Sequence, residues 1–274
     1  MRTEVILGTI LVFIAILTFQ AGIVEGQRIV KDGLISYWSF DKIDIEGDVA
    51  KDVWGGNDGT FAGKPEIVKG KVGEALNLNG VDQYVDMGSP ANGSLDFGQD
   101  KDLTITTWIN MSEPSADEYT IVCKGDRGGS SRILLKVSPG VGMIFALADP
   151  DTEDILHGVI DVVDGRWHYI VAVADRDEFF SIYVDGVVDV DGGISNDANV
   201  DTDSSFFIGK SHQEGSDERR FFNGFIDEVC IYNRVLSEQE ILQNQAAQGI
   251  AVEPASDKIA LTWGKIKTSE HTLF

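Results

Sequence analysis

The chain has 274 residues, 45 of them acidic against 22 basic, and a formal charge of −23. That length accommodates one large β domain or two small ones. The charge excludes nucleic acid as a natural partner, because phosphate binding needs concentrated positive charge; it suits solubility, a saline setting or divalent cations.

The N-terminus pairs Arg2 with an apolar run from Val5 to Phe19, followed by small residues up to Gly26. This pattern predicts a secretory signal peptide over residues 1–26, which is set aside from the fold. An uncleaved anchor is the alternative, and only then would the chain touch a membrane. The apolar run is short for a bilayer span of about 20 residues. A secreted, cell-surface or periplasmic location follows.

From Gly33 onward the chain reads as strands: GLISYWSF, EALNLNG and QYVDMG, the last two split by a turn at Gly80–Asp82. LTITTWIN alternates, with Leu103, Ile105, Thr107 and Ile109 on one face and Thr104, Thr106 and Trp108 on the other. YTIVCKG, RILLKVS and GMIFALAD follow. WHYIVAVAD and FFSIYVDGVVDV form a predicted hairpin through Asp175–Glu178, and Asp185-Gly186 marks a tight turn inside the second segment. FFIGKS and GFIDEVCIYNR close the series. About a dozen short strands punctuated by turns argue for an antiparallel sandwich or jelly roll. One domain over 30–249 is expected. Its single helix starts at Ser237, with Glu240 completing a capping box and Leu236 and Ile241 a hydrophobic staple. The tail, 250–274, carries an IALTW segment and no recognisable chemistry.

Catalytic patterns are missing. A retaining glycoside hydrolase needs two carboxylates about 5–5.5 Å apart. The adjacent Asp227 and Glu228 leave a regular strand on opposite faces. DKIDIEGD, with Asp44, Glu46 and Asp48, reads as a loop. The histidines have no zinc spacing, and His168 reads as a strand residue at the edge of the core. A binding role is the better expectation. Trp54, in the polar turn KDVWGGNDGTF, is the leading ligand-binding aromatic, ahead of Tyr119, Phe145 and Phe222, and for each of the four a packing role is the more expected one.

Regular alternation puts Phe225, Asp227, Val229 and Ile231 on one face and Ile226, Glu228, Cys230 and Tyr232 on the other. Asp227 would then turn inward, whereas Glu228 would lie on the sheet surface. A buried carboxylate requires a charge partner, backbone donors or a metal. Calcium, a hard cation with several oxygen ligands, fits, with Asp41, Asn57 and Asp58 as companion oxygens; backbone hydrogen bonds alone are the other possibility. Cys123 and Cys230 are the only cysteines, and they could pair in an oxidising compartment or stay separate buried thiols. Pairing would close a loop of roughly 100 residues, worth about 4–5 kcal/mol in the chain-entropy account.

In order, GLISYWSFD, NDGTF, GEALNLNGVDQYVDMG, LTITTWIN, DGRWHYIVAVAD, SIYVDGV, FFIGKS and GFIDEVCIYNRVLSEQEI resemble the laminin-G-like domains, concanavalin A-like jelly rolls of many secreted bacterial proteins. The resemblance covers about residues 33–248. It implies an all-β jelly-roll sandwich of two antiparallel sheets with one short C-terminal helix. It further implies a non-catalytic module binding carbohydrate or extracellular protein, with a structural calcium near Asp227. A structural or surface-assembly domain is the alternative, and a polysaccharide hydrolase or lyase a more distant one. Where the family's strand more often has a polar residue this chain has Cys230, a departure that favours a disulfide to Cys123.

Overall fold

Each predicted strand alternates because its two faces meet different surroundings, and the three-dimensional structure shows what those are. A computed structural model describes residues 28–112, 118–125, 131–138, 140–193, 198–211, 220–247 and 249. The expected signal peptide and the tail segment lie outside the described residues.

The strands are β1 (Leu34–Trp38), β2 (Ile45–Glu46), β3 (Val49–Ala50), β4 (Gly59–Ala62), β5 (Glu66–Lys69), β6 (Glu74–Asn79), β7 (Tyr84–Asp86), β8 (Leu103–Asn110) and β9 (Tyr119–Gly125). They continue with β10 (Arg132–Ser138), β11 (Gly142–Ala148), β12 (Glu153–His157), β13 (Trp167–Ala174), β14 (Phe179–Val184), β15 (Val187–Gly193), β16 (Phe206–Ile208) and β17 (Asn223–Tyr232). The helix α1 spans Glu238–Gln245. One sheet runs β15-β14-β13-β8-β17-β6-β5, with β1 also on β17; the other runs β12-β11-β10-β9-β16-β7-β4-β3-β2. Neighbouring strands are antiparallel. The chain is therefore an all-β sandwich of two antiparallel sheets with a single short helix among the described residues.

The inner faces meet in one core that includes Trp38, Leu76, Ile105, Ile109, Leu135, Phe145, Ile170, Phe206, Ile226 and Ile231. A second apolar layer covers the outer face of the first sheet. There Trp108, Tyr169, Cys230 and Tyr232 lie under Ile29, Val30, Leu236 and Ile241. This explains why every residue of β8 except Asn110 is buried although its sequence alternates: its threonine-and-tryptophan face is roofed by Ile29, Val30, Leu236 and Ile241. Thr104 illustrates how a polar residue fits that roof, its hydroxyl donating to the carbonyl of Arg234 at 2.7 Å.

The turn predictions hold. Asp185 and Gly186 adopt φ of 54° and 80°, the left-handed pair that a two-residue hairpin turn requires. Ser237 and Glu240 form the capping box, and α1 lays the buried Leu236 and Ile241 on the first sheet. The stretch DKIDIEGD differs from expectation. It makes a short 3-10 turn at Lys42–Asp44 and the small hairpin β2–β3, because Ile45 and Val49 close on the edge of the second sheet through β4. The described helix is too short and polar to cross a membrane.

Candidate functional site

Strand β17 lies against β8 along one side, but on its other side it changes partner. Asn223–Ile226 pair with β6, and Val229–Tyr232 pair with β1. Asp227 and Glu228 occupy the changeover. There the register against β8 shifts: Asp227 faces Trp108 and Cys230 faces Thr106, so two residues of β17 oppose Thr107 alone. Glu228 takes φ of 53° to make this bulge.

The bulge reverses the side-chain parity. Ile226, Val229 and Ile231 all enter the inter-sheet core, while Cys230 and Tyr232 join the outer layer. The unbroken alternation expected from the sequence is thus corrected. Asp227 does not share the face of Val229, and Glu228 is not a surface residue but 5% exposed. Both Glu228 oxygens lie within hydrogen-bond distance of the Tyr37 hydroxyl, at 2.8 and 2.7 Å.

Asp227 is fully buried. Its Oδ2 accepts the amides of Lys71 and Val72 at 2.9 and 3.0 Å, whereas its Oδ1 has no hydrogen-bond partner among the described residues. These amides belong to a tight turn closed by Gly70 N–H to Gly73 O at 3.0 Å. Asp41 stands across the same turn, its Oδ1 accepting the amide of Glu74 at 2.7 Å. The turn is glycine-bounded for a steric reason. A Cβ on Gly70 would lie 2.6 Å from Asp227 Oδ2, and one on Gly73 would lie 2.1 Å from Asp41 Oδ1.

The electrostatics follow from this crowding. Burial, reinforced by the charge of Asp41, pushes the Asp227 carboxyl up to about 7. Burial and the charge of Asp227 push Glu228 up to about 9. Burial also raises Asp41, with Glu74 and Asp44 adding to the shift. No ion pair relieves Asp41, Asp227 or Glu228 among the described residues. The nearby Lys71 ammonium lies instead over the Trp108 ring, 4.3 Å from its centroid.

Of the candidate ligands, the structure places Asp41 across the Gly70–Gly73 turn from Asp227, but not Asn57 or Asp58. The Asn57 side chain is held by Ser36 at 2.7 Å and Ser94 at 2.8 Å. The Asp58 carboxylate takes the amide of Asp52 at 3.0 Å and the Lys51 ammonium at 2.9 Å. No group of three His, Cys, Asp or Glu side chains is arranged to hold a metal among the described residues. Any cation here would therefore rely on Asp41, Asp227 and backbone oxygens. Asp52, which sequence reading passed over, organises the loop around Trp54: it accepts the amides of Tyr37, Trp54, Gly55 and Asn57. The missed parts of the acidic site are Tyr37, Glu228 and the Gly70–Gly73 turn. KGKVGE, with two glycines bracketing a turn before a strand, was the available signal.

Trp54 is 42% exposed, with its indole N–H on the Leu34 carbonyl at 2.8 Å and the Lys31 ammonium 5.7 Å from its ring. Tyr119, Phe145 and Phe222 are buried. His168 is buried between two carboxylates, Nδ1 at 2.8 Å from Asp185 and Nε2 at 3.0 Å from Asp164. The disulfide expectation is corrected: Cys123 and Cys230 are free, buried thiols. Cys123 packs with Leu134 and Ala146 outside one sheet, and Cys230 lies in the layer outside the other, so the core separates them.

Residues 79–242 match the family described as the concanavalin A-like lectin/glucanases superfamily. A non-toxic nonhemagglutinin of Paraclostridium bifermentans is 24% identical over 183 residues, which are 66% of this chain and 15% of that protein. Among solved structures, the binding domain of Paraclostridial Mosquitocidal Protein 1 superposes with a TM-score of 0.61 at 19% identity, over 78% of this chain and 52% of that one. The receptor binding domain of botulinum neurotoxin C/D mosaic serotype gives 0.61 at 15% identity, over 79% and 51%. Domain 4 of AbnA, an extracellular arabinanase of Geobacillus stearothermophilus in complex with arabinotriose, gives 0.57 at 19% identity, over 78% and 98%. These likenesses establish the fold. The chain spans about half the length of the toxin domains and a small part of the curated relative.

Proposed function

Because the chain belongs to the concanavalin A-like lectin/glucanases superfamily, we propose that it is a non-catalytic exported module. In this reading it binds carbohydrate or an extracellular protein and is held rigid by a structural calcium ion. The observation that carries the reading is the fate of the acids on the central strand. Asp227 and Glu228 are buried, at 0% and 5% exposure, against a backbone turn and a tyrosine hydroxyl. They are built into the scaffold rather than presented to a substrate. A similar sandwich makes up about half of the receptor binding domain of a botulinum neurotoxin, and another is the arabinanase domain solved in complex with arabinotriose; these precedents support binding. Fold alone transfers no activity. An extracellular setting accords with the extracellular arabinanase.

Calcium fits the donor set of Asp41 and Asp227. The Oδ1 of Asp227 is a buried acceptor without a well-formed hydrogen bond among the described residues, and hard carboxylate oxygens are what calcium takes. Bound calcium would neutralise the mutual repulsion of these carboxylates. Asp227 would then hold the Gly70–Gly73 turn by its amides while Asp41 closes the turn from the other side. Trp54 offers an exposed ring to a ligand.

Two measurements test the reading. Titration of the chain against a broad glycan panel is expected to show saturable binding with no released product. Turnover of any polysaccharide would overturn the non-catalytic assignment, and oligomerisation without glycan binding would favour a surface-assembly role. Thermal melting with calcium and with chelator is expected to differ, since a ligand at a hundredfold excess over its Kd adds about 2.7 kcal/mol. Identical melts together with no metal by elemental analysis would remove the calcium.

A further inference from the structure

The outer face of the second sheet carries a cleft of about 480 Å³ over β4 and β7, lined by Asp58, Thr60, Ala62, Tyr84 and Asp86 among others. Its volume lies within the ~300–1,000 Å³ of small-molecule sites. We infer that this cleft is the docking site of a neutral oligosaccharide, with Tyr84 as the stacking wall and Thr60, Asp86 and Asp58 as the hydroxyl-binding edge. The assignment rests on the carbohydrate-binding reading above and gives it a place and a ligand class.

The strand register builds the wall. Tyr84 pairs with Ala62, and Asp86 pairs with Thr60 on one side and Phe207 on the other. On the β16 side Tyr84 is braced by the Phe207 ring, edge-on at 5.7 Å, by Phe221 at 6.0 Å, and by the Lys210 ammonium at 4.2 Å from its centroid. On the β4 side its cross-strand neighbour is only a methyl group, so the cleft opens there. A rigid, half-buried aromatic beside an opening is what the apolar face of a sugar ring needs, because the ring is already immobilised and little freedom is lost on binding.

The polar edge sets the ligand class. Asp86 Oδ1 accepts the Gly88 amide at 2.8 Å, which fixes the carboxylate at the cleft floor. Thr60 is exposed beside it and supplies a donor and an acceptor. Asp58 is held by Lys51, whereas Asp86 makes no ion pair among the described residues and presents its carboxylate to the site. Carboxylates accept from sugar hydroxyls and repel uronate, sialate or sulfate groups, and the charge of −23 adds to that repulsion at a distance.

The test is calorimetric titration of the whole chain with neutral gluco-, galacto-, manno- and arabino-configured oligosaccharides and with oligogalacturonate. A neutral sugar is expected to bind and the galacturonate not. Tyr84→Ala is expected to weaken binding about tenfold or more, in line with the loss of an anchoring aromatic. Thr60→Trp, at an exposed position that leaves the fold intact, is expected to block the cleft and do the same. Asp86→Asn is expected to admit the galacturonate. If both Tyr84→Ala and Thr60→Trp retain wild-type affinity, or if Trp54→Ala alone abolishes it, the cleft is not the site although the binding reading stands. A preference of the unmodified chain for galacturonate overturns the ligand class. No binding of any sugar removes the carbohydrate-binding reading and this site with it.

Discussion

Two acid-bearing regions lie at the ends of the same closing segment, and chemistry treats them oppositely. At the bulge of β17, Asp227 and Glu228 are sealed beneath neighbouring elements with no ion pair among the described residues, and burial drives both carboxyls up, to about 7 and about 9. A few residues on, Glu240 is half-buried in the first turn of α1. The Arg234 guanidinium grips both its oxygens at 3.0 and 2.7 Å, and its carboxyl is held down at about 2. The same functional group is a strain on the fold in one place and a fastener in the other. The difference is whether a positive partner is present: a desolvated anion is tolerated only when something compensates it. That is why the bulge points to a cation and the helix start does not.

The comparison can be broken most forcefully at Asp227. Asp227→Ala is expected to orphan the amides of Lys71 and Val72 and destabilise the fold by roughly 2–4 kcal/mol, read as a lower melting temperature and no response to calcium. Asp227→Asn should keep much of the stability in chelator while also losing the calcium response. If Asp227→Asn still gains from calcium, the ion sits elsewhere.

The second test is pH in the chelated protein. Asp227 and Glu228 have folded-state values above their ordinary 3.8 and 4.5, so the native state holds more protons than the unfolded one between about 4 and 9. Stability must then fall as pH rises through that window. Calcium, which favours the ionised forms, should flatten the slope. Denaturant melts at pH 5 and pH 9 in chelator would show the sign, and a rise in stability towards pH 9 would contradict it.

Smaller effects separate the parts. Gly73→Ala places a Cβ against Asp41 at a φ of 52°, and should cost about 1–2 kcal/mol while weakening calcium dependence. Ser237→Ala removes the cap of α1 for about 1 kcal/mol and should leave calcium dependence untouched. The smallest effect is expected at Glu240. Its value lies below the ordinary 4.5, so its contribution is present at neutrality and lost as pH falls from 4.5 towards 2. Because the pair is only partly buried, salt should screen part of that contribution, which melts on either side of pH 4.5 at low and high ionic strength would reveal.

Local regularities were legible from residues alone. The alternation of LTITTWIN, the Asp185-Gly186 turn and the capping box at Ser237 each depend on neighbours within a few positions, and all three are present. That Asp41 would lie near Asp227 was suggested by residue types, a carboxylate just after the first strand; the structure puts the two across one turn. What misled was parity. GFIDEVCIYNR gives no sign of its bulge, since a bulge is forced by the exchange of β6 for β1 alongside β17, and those partners are some 150 and 190 positions away in sequence.

The sequence by itself determined an acidic, all-β chain with a capped helix, because composition, period-two alternation and turn chemistry are local properties. Only the tertiary structure decided that Glu228 is buried on Tyr37, that Asn57 and Asp58 serve their own loop, that the two cysteines lie on opposite outer faces, and that Tyr84 and Ala62 leave a cleft between them. Each of these depends on which distant strand lies alongside, and strand partnership is chosen by the packing of the whole sandwich rather than by any one segment.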